Sequence, residues 1–152
     1  MNLERTTVIS ASLERVWDFF SDPRNLARLT PHDLGFEIVD APDRPLRRGD
    51  RIEYRIRVAA IPVRWITRIT EWSPMNAFAD VQERGPYRLW IHRHVFESTE
   101  DGNVRMTDRV EYELPLGRLG AAIGGWWVRR RLTKIFDYRA AIVETLFRRG
   151  SS

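Results

Sequence analysis

Two histidines stand two positions apart in a segment with the alternating pattern of a β-strand. His92 and His94 belong to Leu89–Ser98, and side chains two residues apart in a strand share a face. Asp80 and Asp108 fall in the strands predicted on either side. Charged groups inside a fold are rarely left without partners, because burying an isolated charge is costly. The four side chains therefore predict either a polar network or a site.

Four kinds of chemistry fit these residues. They could form internal pairs that hold the sheet together, or they could recognise the polar head group of a ligand. Two imidazoles could bind one metal ion, with Asp80 or Asp108 completing the set. A histidine held by a carboxylate could also act as a general acid or base. The remaining histidine, His32, falls in a loop, so no set of three histidines forms and we expect no metal and no cofactor. No nucleophile accompanies the cluster, so we expect a binding protein rather than an enzyme.

The turns between these strands predict which residues face each other. Glu100-Asp101-Gly102 suits a three-residue hairpin loop with Gly in the left-handed region. This loop places His94 opposite Asp108, and the turn at Gly85-Pro86-Tyr87 places Asp80 opposite His92. We therefore predict two pairs on the inner face, Asp80 with His92 and His94 with Asp108.

The elements that must position this cluster are mostly strands with period-two alternation. Ser12 predicts the N-cap of a first short helix, and Pro23 begins a second that Thr30-Pro31 ends. The strands are predicted over Leu3–Ser10, Gly35–Asp40, Arg51–Val58, Val63–Trp72, Phe78–Glu83, Leu89–Ser98 and Asn103–Leu114.

The segment Leu116–Arg149 changes to helical spacing, with an apolar stripe three and four residues apart. Gly120, Gly124 and Gly125 weaken its first turns, so the firm helix is expected from about Trp126. An antiparallel sheet with its helices on one side is an α+β arrangement. A curved sheet cannot close completely onto a cylinder, so we predict a cavity between the sheet and the long helix.

A small and largely apolar ligand would lie in that cavity among aromatic side chains, with a polar group near the histidines. Any single one of these aromatic residues could equally be core packing. The predicted ligand-binding residues are Tyr54, Trp65, Thr67, Phe78, Asp80, Gln82, Trp90, His92, His94, Phe96, Met106, Asp108 and Tyr112.

Length and composition exclude several classes of protein. The 152 residues suit one domain, and the absence of cysteine excludes disulfides and thiolate metal sites. The first residues lack the apolar core of a signal peptide. The longest nearly apolar stretch, Leu119–Val128, is too short to span a bilayer. A cytoplasmic protein is expected.

Positive charge is concentrated in the C-terminal segment. Leu116–Arg149 holds eight Lys and Arg residues against Asp137 and Glu144. The run Arg129-Arg130-Arg131 follows Trp126 and Trp127, a composition that suits a solvated helix face or contact with an acidic partner or a membrane surface. The two tryptophans could instead cover the mouth of the cavity. No nucleic acid partner is expected, and the oligomeric state is left open.

The segment Ser10-Ala11-Ser12-Leu13-Glu14-Arg15-Val16-Trp17-Asp18-Phe19-Phe20-Ser21-Asp22-Pro23 resembles the opening of the START-related, pollen-allergen-like SRPBCC superfamily (polyketide cyclase/dehydrase and lipid transport). The stretches Trp65–Ile69, Gly85–Phe96 and Ile135–Arg139 are similar to a bacterial ligand-binding subgroup. The resemblance implies a helix-grip fold: seven strands, two short helices after the first strand, and a long C-terminal helix beside a cavity for hydrophobic ligands. Members bind lipids, quinones, hormones or polyketides, and some are cyclases or dehydratases; no catalytic residue carries over.

Together these observations predict that residues 1–152 form a single ligand-binding domain. Its expected function is binding or transport of a small hydrophobic molecule that is lipid-, quinone- or polyketide-like. One alternative is a polyketide cyclase or dehydratase with His92 or His94 as general acid–base. Another is a peripheral protein that docks an acidic partner or a membrane through the Arg-rich helix.

Overall fold

A computed structural model describes residues 1–148 of the chain. Within them an antiparallel seven-stranded sheet has the strand order β1-β7-β6-β5-β4-β3-β2, and the long helix α2 follows the last strand. Two short 3₁₀ segments, Pro23–Leu29 and His32–Leu34, follow α1. This confirms the predicted α+β helix-grip fold. The elements are β1 Asn2–Ile9, α1 Leu13–Phe20, β2 Glu37–Asp40, β3 Arg51–Val58, β4 Ile61–Ser73, β5 Ala77–Arg84, β6 Leu89–Ser98, β7 Val104–Glu113 and α2 Gly117–Arg148.

The start of α2 differs from the prediction. The helix begins at Gly117 and not near Trp126. Gly120 serves close packing here: a Cβ at this position would lie 1.9 Å from the carbonyl oxygen of Pro115. Gly117 itself has a positive φ of 54°, which glycine adopts without strain. Tertiary packing therefore overrides low helix propensity, and the predicted end at Arg149 lies outside the described residues.

Strand β2 is also shorter than predicted. It begins at Glu37, because Gly35 adopts the left-handed conformation that ends the 3₁₀ turn His32–Leu34. The elements predicted from the sequence do not include this turn. Its Leu34 is buried, so the segment packs against the fold as part of the site described below.

The predicted register of the central hairpins is confirmed. His94 pairs with Asp108 between β6 and β7, and Asp80 pairs with His92 between β5 and β6. The pairing of β4 with β5 shifts twice, between Ile66 and Thr67 and between Ile69 and Glu71. Such bulges bend a strand and increase its twist, which lets the sheet curl around α2.

Helix α1 closes one end of the space inside the sheet. Ser12 caps it by accepting a hydrogen bond from the backbone N–H of Arg15, at 3.4 Å. Its buried Trp17 packs edge-on against Phe96 of β6, with ring centroids 5.4 Å apart. Val143 and Phe147 of α2 belong to the same apolar cluster. This end of the sheet is therefore filled with side chains.

The chain enters β3 through a loop that Asp50 holds together. The carboxylate accepts hydrogen bonds from Arg44 Nη1 at 2.8 Å and Nη2 at 2.9 Å, and from the Arg47 N–H at 2.8 Å. Its backbone carbonyl accepts from the N–H of Ile69 at 2.8 Å. Hydrogen bonds from Arg44 lower the pKa of Asp50 below its usual value.

We expect Asp50→Asn to lower the free energy of unfolding by about 1–2 kcal/mol near neutral pH, because charge-assisted hydrogen bonds are lost. Since the pKa of Asp50 is depressed in the folded state, its stabilisation is present above the unfolded-state pKa and is lost as pH falls through the folded-state pKa. The difference between the variant and the original chain should therefore shrink in acid. Urea denaturation over a pH series measures this, with Asp43→Asn as an exposed control; an unchanged difference at every pH would contradict it.

Candidate ligand-binding site

A cavity of about 330 Å³ lies between the concave face of the sheet and α2. Its wall is mostly apolar and aromatic. The two short 3₁₀ segments and the loops that follow β5 and β7 close its ends. The side chains come from the sheet (Tyr54, Ile56, Arg57, Val58, Trp65, Thr67, Asp80, Trp90, His92, His94), from α2 (Trp127, Val128, Arg131, Leu132, Ile135, Phe136, Arg139) and from the segments that close the ends (Leu26, Thr30, Leu34, Phe36, Pro86, Tyr87, Leu114, Pro115).

The cavity brings together about half of the residues that the sequence predicted for ligand binding. These are Tyr54, Trp65, Thr67, Asp80, Trp90, His92 and His94. They lie on strands β3 to β6, toward the end of the sheet that α1 leaves open. Period-two alternation therefore predicted the face of the sheet on which these residues lie. Their position along the strands brings them to the cavity.

The other six predicted residues do not line this cavity. Phe96 and Met106 pack in the core around α1, and Tyr112 is buried among apolar neighbours beneath Trp90. Phe78 lines a second, smaller hollow that shares Asp80, His94 and Arg139 with the cavity. Period-two alternation gives the face of a residue but not its position along the strand, so it could not separate core from cavity wall.

Two of the six support cavity residues from outside. The Gln82 side chain donates to the Tyr87 carbonyl at 2.7 Å and accepts from the Tyr87 N–H at 3.2 Å, which fixes the loop that closes one end. Asp108 lies behind the histidines and is 6% exposed. A ligand in the cavity would be affected by both residues without touching them.

The predicted ligand-binding residues do not include those that α2 and the loops contribute to the cavity wall. The apolar stripe predicted for this segment includes Val128, Leu132, Ile135 and Phe136, and Arg139 lies one turn beyond Phe136 on the same side. That spacing could have found them. Nothing local in the sequence indicates that Leu34 and Phe36 reach the cavity, because their position depends on how the 3₁₀ segments fold back over the sheet.

The imidazole–carboxylate cluster, defined here as Asp80, His92, His94 and Asp108, pairs differently from the prediction. His92 Nε2 lies 2.8 Å from Asp108 Oδ1, and His94 Nε2 lies 3.3 Å from Asp80 Oδ2. The hydrogen bonds therefore run diagonally, whereas the prediction paired residues that face each other in register. Side chains lean along the strand direction, and diagonal neighbours come within reach of long or ring-shaped side chains.

Contacts between the facing residues of the predicted pairs also remain. His94 Nδ1 lies 3.0 Å from Asp108 Oδ1 without the angle of a hydrogen bond, and His92 Nδ1 lies 4.0 Å from Asp80 Oδ2. The two imidazole centroids are 3.8 Å apart. Each ring therefore has one nitrogen toward Asp80 and one toward Asp108.

The electrostatics of the cluster follow from burial and mutual pairing. Burial alone raises the pKa of a carboxyl group, but the adjacent histidines hold the pKa values of Asp80 and Asp108 below the usual range. Burial alone lowers the pKa of His94, but the two carboxylates raise it above its ordinary value. Burial and the neighbouring His94 lower the pKa of His92. The cluster therefore favours the ionised form of both carboxyl groups, the protonated form of His94 and the neutral form of His92.

Next to the cluster, the cavity wall offers hydrogen-bond donors. The buried indole N–H of Trp65 has no hydrogen-bond partner among residues 1–148. Burial keeps the pKa of Tyr54 above its usual value, so the phenol stays protonated. Thr67 Oγ1 lies 3.0 Å from Asp80 Oδ1 and fixes one oxygen of that carboxylate. Buried donors of this kind are normally satisfied, so an acceptor on a ligand would find partners here.

A second exposed surface, which we call the apolar ridge, consists of Leu116 just before α2 and of Leu119, Ile123, Trp126 and Trp127 on the outer face of the helix. These side chains are between 41% and 78% exposed. Their spacing of three and four residues puts them on one side of the helix, opposite the buried Gly125 and Leu132. Trp127 lines the cavity while Trp126 does not, so only one of the two tryptophans covers its mouth.

No helix within residues 1–148 combines the length and apolar character needed to cross a bilayer. The sequence matches the family described as polyketide cyclase/dehydrase and lipid transport over residues 1–144. The chain belongs to this family. A search of curated proteins finds no match.

Several solved structures with different descriptions share this fold. A protein from Thermus thermophilus is 19% identical with a TM-score of 0.77, and each chain is covered completely. The Zhui aromatase/cyclase from a Streptomyces species is 14% identical with a TM-score of 0.77, covering 98% of this chain and 94% of its own. A START superfamily protein from Mycobacterium smegmatis is 14% identical with a TM-score of 0.71, with 99% of both chains covered. At these identities the likeness establishes the fold of this member of the polyketide cyclase/dehydrase and lipid transport family.

We expect Asp108→Ala to lower the free energy of unfolding by about 3 kcal/mol, because it removes the hydrogen-bond partner of the buried His92 and leaves a buried ring nitrogen unsatisfied. Glu111→Ala, on the exposed face of the same strand, should change stability by no more than about 0.5 kcal/mol. Urea denaturation of both variants measures the difference. Equal stabilities for the two variants would show that the cluster does not contribute as described.

Proposed function

We propose that the protein binds a small, largely apolar ligand carrying one polar, oxygen-containing group, with the apolar part in the cavity and the polar group at the imidazole–carboxylate cluster. The observation that carries the proposal is the cavity itself: a mostly apolar space of about 330 Å³ with three members of the imidazole–carboxylate cluster, Asp80, His92 and His94, at its wall. Small-molecule sites are usually of this kind, apolar with a few placed polar groups.

The volume limits the size of the ligand. Pockets that enclose drug-sized molecules range over about 300–1,000 Å³, so this cavity lies at the small end. Such a space suits a compact ring system or a single short chain better than a lipid with two long chains. The stacked Tyr54 and Trp65, with centroids 5.7 Å apart, and Trp90 edge-on to Trp65 offer flat apolar surfaces to a ring.

The donors fix the expected position of the polar group. Trp65 offers its buried N–H, Tyr54 keeps its phenolic proton, and the side chain of Arg139 lines the same cavity. A carbonyl, hydroxyl or carboxylate oxygen on the ligand would accept from these groups. Satisfying a buried donor removes a desolvation penalty of about 1–3 kcal/mol, which favours a ligand with such an oxygen over a hydrocarbon.

Native mass spectrometry of freshly purified protein tests the proposal, because a cavity ligand should remain bound and be released on denaturation. Val128→Trp places a large side chain in the cavity from α2, and we expect it to reduce ligand occupancy at least tenfold. Ala141→Trp, at an exposed position of the same helix that does not line the cavity, is the matched control. Equal occupancy in both variants would contradict binding in this cavity.

The same experiment separates carriage from catalysis of the cyclase or dehydratase kind. A carrier should release its incubated ligand unchanged, whereas an enzyme should release a product with altered mass, such as the loss of one water. If a product forms, His92 and His94 are the cavity residues able to move a proton. In that case His94→Gln should abolish product formation while a bound molecule is still detected.

A second candidate function is docking on an anionic membrane surface through the apolar ridge. Arg130 Cζ lies 5.6 Å from the Trp126 ring and Arg131 Cζ lies 5.4 Å from the Trp127 ring. The segment from Gly117 to Arg131 contains four arginines and no acidic residue. Exposed large apolar side chains bordered by cations are typical of helices that lie at a lipid interface. Because Trp127 and Arg131 also line the cavity, docking would bring the cavity mouth close to the lipid.

We expect the protein to sediment with vesicles containing phosphatidylserine, more weakly as salt rises. The double change Ile123→Ser with Trp126→Ser should weaken this binding at least tenfold, because two exposed apolar side chains no longer enter the interface. Val8→Ser removes an exposed apolar residue from β1 and is the control. Unchanged vesicle binding in the double variant, or concentration-dependent dimers that the double variant abolishes, would contradict membrane docking.

A further inference from the structure

We propose that Asp80, His92 and His94 form a binding site for one divalent transition-metal ion of the Zn²⁺ type, with its open coordination positions facing the cavity. The inference goes beyond the proposed ligand function and does not depend on it, since a metal ion has its own spectroscopic and thermodynamic readouts.

The three potential ligand atoms already converge on one point. Asp80 Oδ2 lies 3.3 Å from His94 Nε2 and 4.0 Å from His92 Nδ1, and one ligand atom from each residue lies within 4.8 Å of the others. Ligands of a tetrahedral ion with bonds of about 2.1 Å are about 3.4 Å apart. A small rotation of the His92 ring therefore completes a set of two imidazole nitrogens and one carboxylate oxygen.

Asp108 lies on the opposite side of both rings, where an outer carboxylate would orient the ligands. Its Oδ1 atom is 2.8 Å from His92 Nε2 and 3.0 Å from His94 Nδ1. A carboxylate that accepts the proton of the outer nitrogen leaves the lone pair of the inner nitrogen free for a metal. Asp108 thus holds the tautomer of His92 and lies beside the outer nitrogen of His94, with both inner nitrogens directed toward Asp80.

The metal-binding oxygen of Asp80 is also held in place. Thr67 Oγ1 lies 3.0 Å from Asp80 Oδ1, on the oxygen that the histidines do not use. Asp80 Oδ2 therefore remains available for the ion. In metal sites the ligand side chains are usually oriented by hydrogen bonds from surrounding residues in this way.

Charge and access favour the same ion. With both imidazoles neutral, Asp80 and Asp108 leave two negative charges in a buried site, which one divalent cation balances. Asp80, His92 and His94 all line the cavity, whereas Asp108 does not. An ion held by three protein ligands thus keeps a position open toward the cavity, where water or a ligand oxygen could bind. Imidazole and carboxylate together suit Zn²⁺ and related transition metals, not Mg²⁺.

Chelator-treated protein titrated with Zn²⁺ in a calorimeter, and with Co²⁺ by visible absorption, tests the site. We expect one ion per chain and the d–d bands of four- or five-coordinate Co²⁺. Asp80→Asn and His94→Gln should each weaken binding at least 100-fold, and Asp108→Asn should weaken it about 10- to 100-fold, as loss of an outer-shell partner does. His32→Gln, which changes the exposed histidine outside the cluster, should bind like the original chain.

Thermal unfolding with and without Zn²⁺ keeps the test meaningful if a variant is less stable. The original chain and His32→Gln should gain stability with added metal, as any ligand specific for the folded state confers, while Asp80→Asn should not. Val128→Trp should keep metal binding even though its cavity is filled, so failure of ligand binding and failure of metal binding are distinguishable. Retained binding in Asp80→Asn, loss of binding in His32→Gln, or a Co²⁺ spectrum of the free aqueous ion would overturn the proposal.

Discussion

One buried carboxylate and one half-buried carboxylate lie on the inner face of this sheet, with two imidazoles between them. Asp80 and Asp108 come from β5 and β7, while His92 and His94 come from the strand between. Burying an isolated charge would remove much of the free energy of unfolding of a domain of this size. Each carboxylate therefore depends on the histidines to stay ionised. The cluster therefore requires the three strands to keep one register, since a slip by one residue would turn the whole set outward.

The same inner face has two different environments along its length. At one end Trp17 and Phe20 of α1 pack against Phe78 and Phe96, and the space is filled. At the other end only the 3₁₀ segments and loops cover the sheet, and a cavity remains beside α2. The cluster lies at the boundary, because Asp80 and His94 touch both the cavity and the smaller hollow near Phe78. This position gives a polar group access to an otherwise apolar space.

Helix α2 has a different role on each of its faces. Leu132, Phe136 and Val143 are buried against the interior, and Val128 and Ile135 complete the cavity wall. The outer face of its first half bears the apolar ridge, whose side chains are 41% to 78% exposed. Gly120 in these early turns allows close contact with the backbone of Pro115. The low helix propensity of glycine is compensated here by close packing of the backbone.

The sequence by itself determined the fold class, the inward phase of the central strands and the register that pairs His94 with Asp108 and Asp80 with His92. Alternation and turn residues are local properties, so they can be read without coordinates. Only the tertiary structure decided which inward residues line a cavity, that Phe96 and Met106 are core while Arg139 reaches the wall, and that the hydrogen bonds within the cluster run diagonally. These depend on how far each element covers the sheet and on side-chain lean over a few ångströms, which arise from packing between segments distant in the chain.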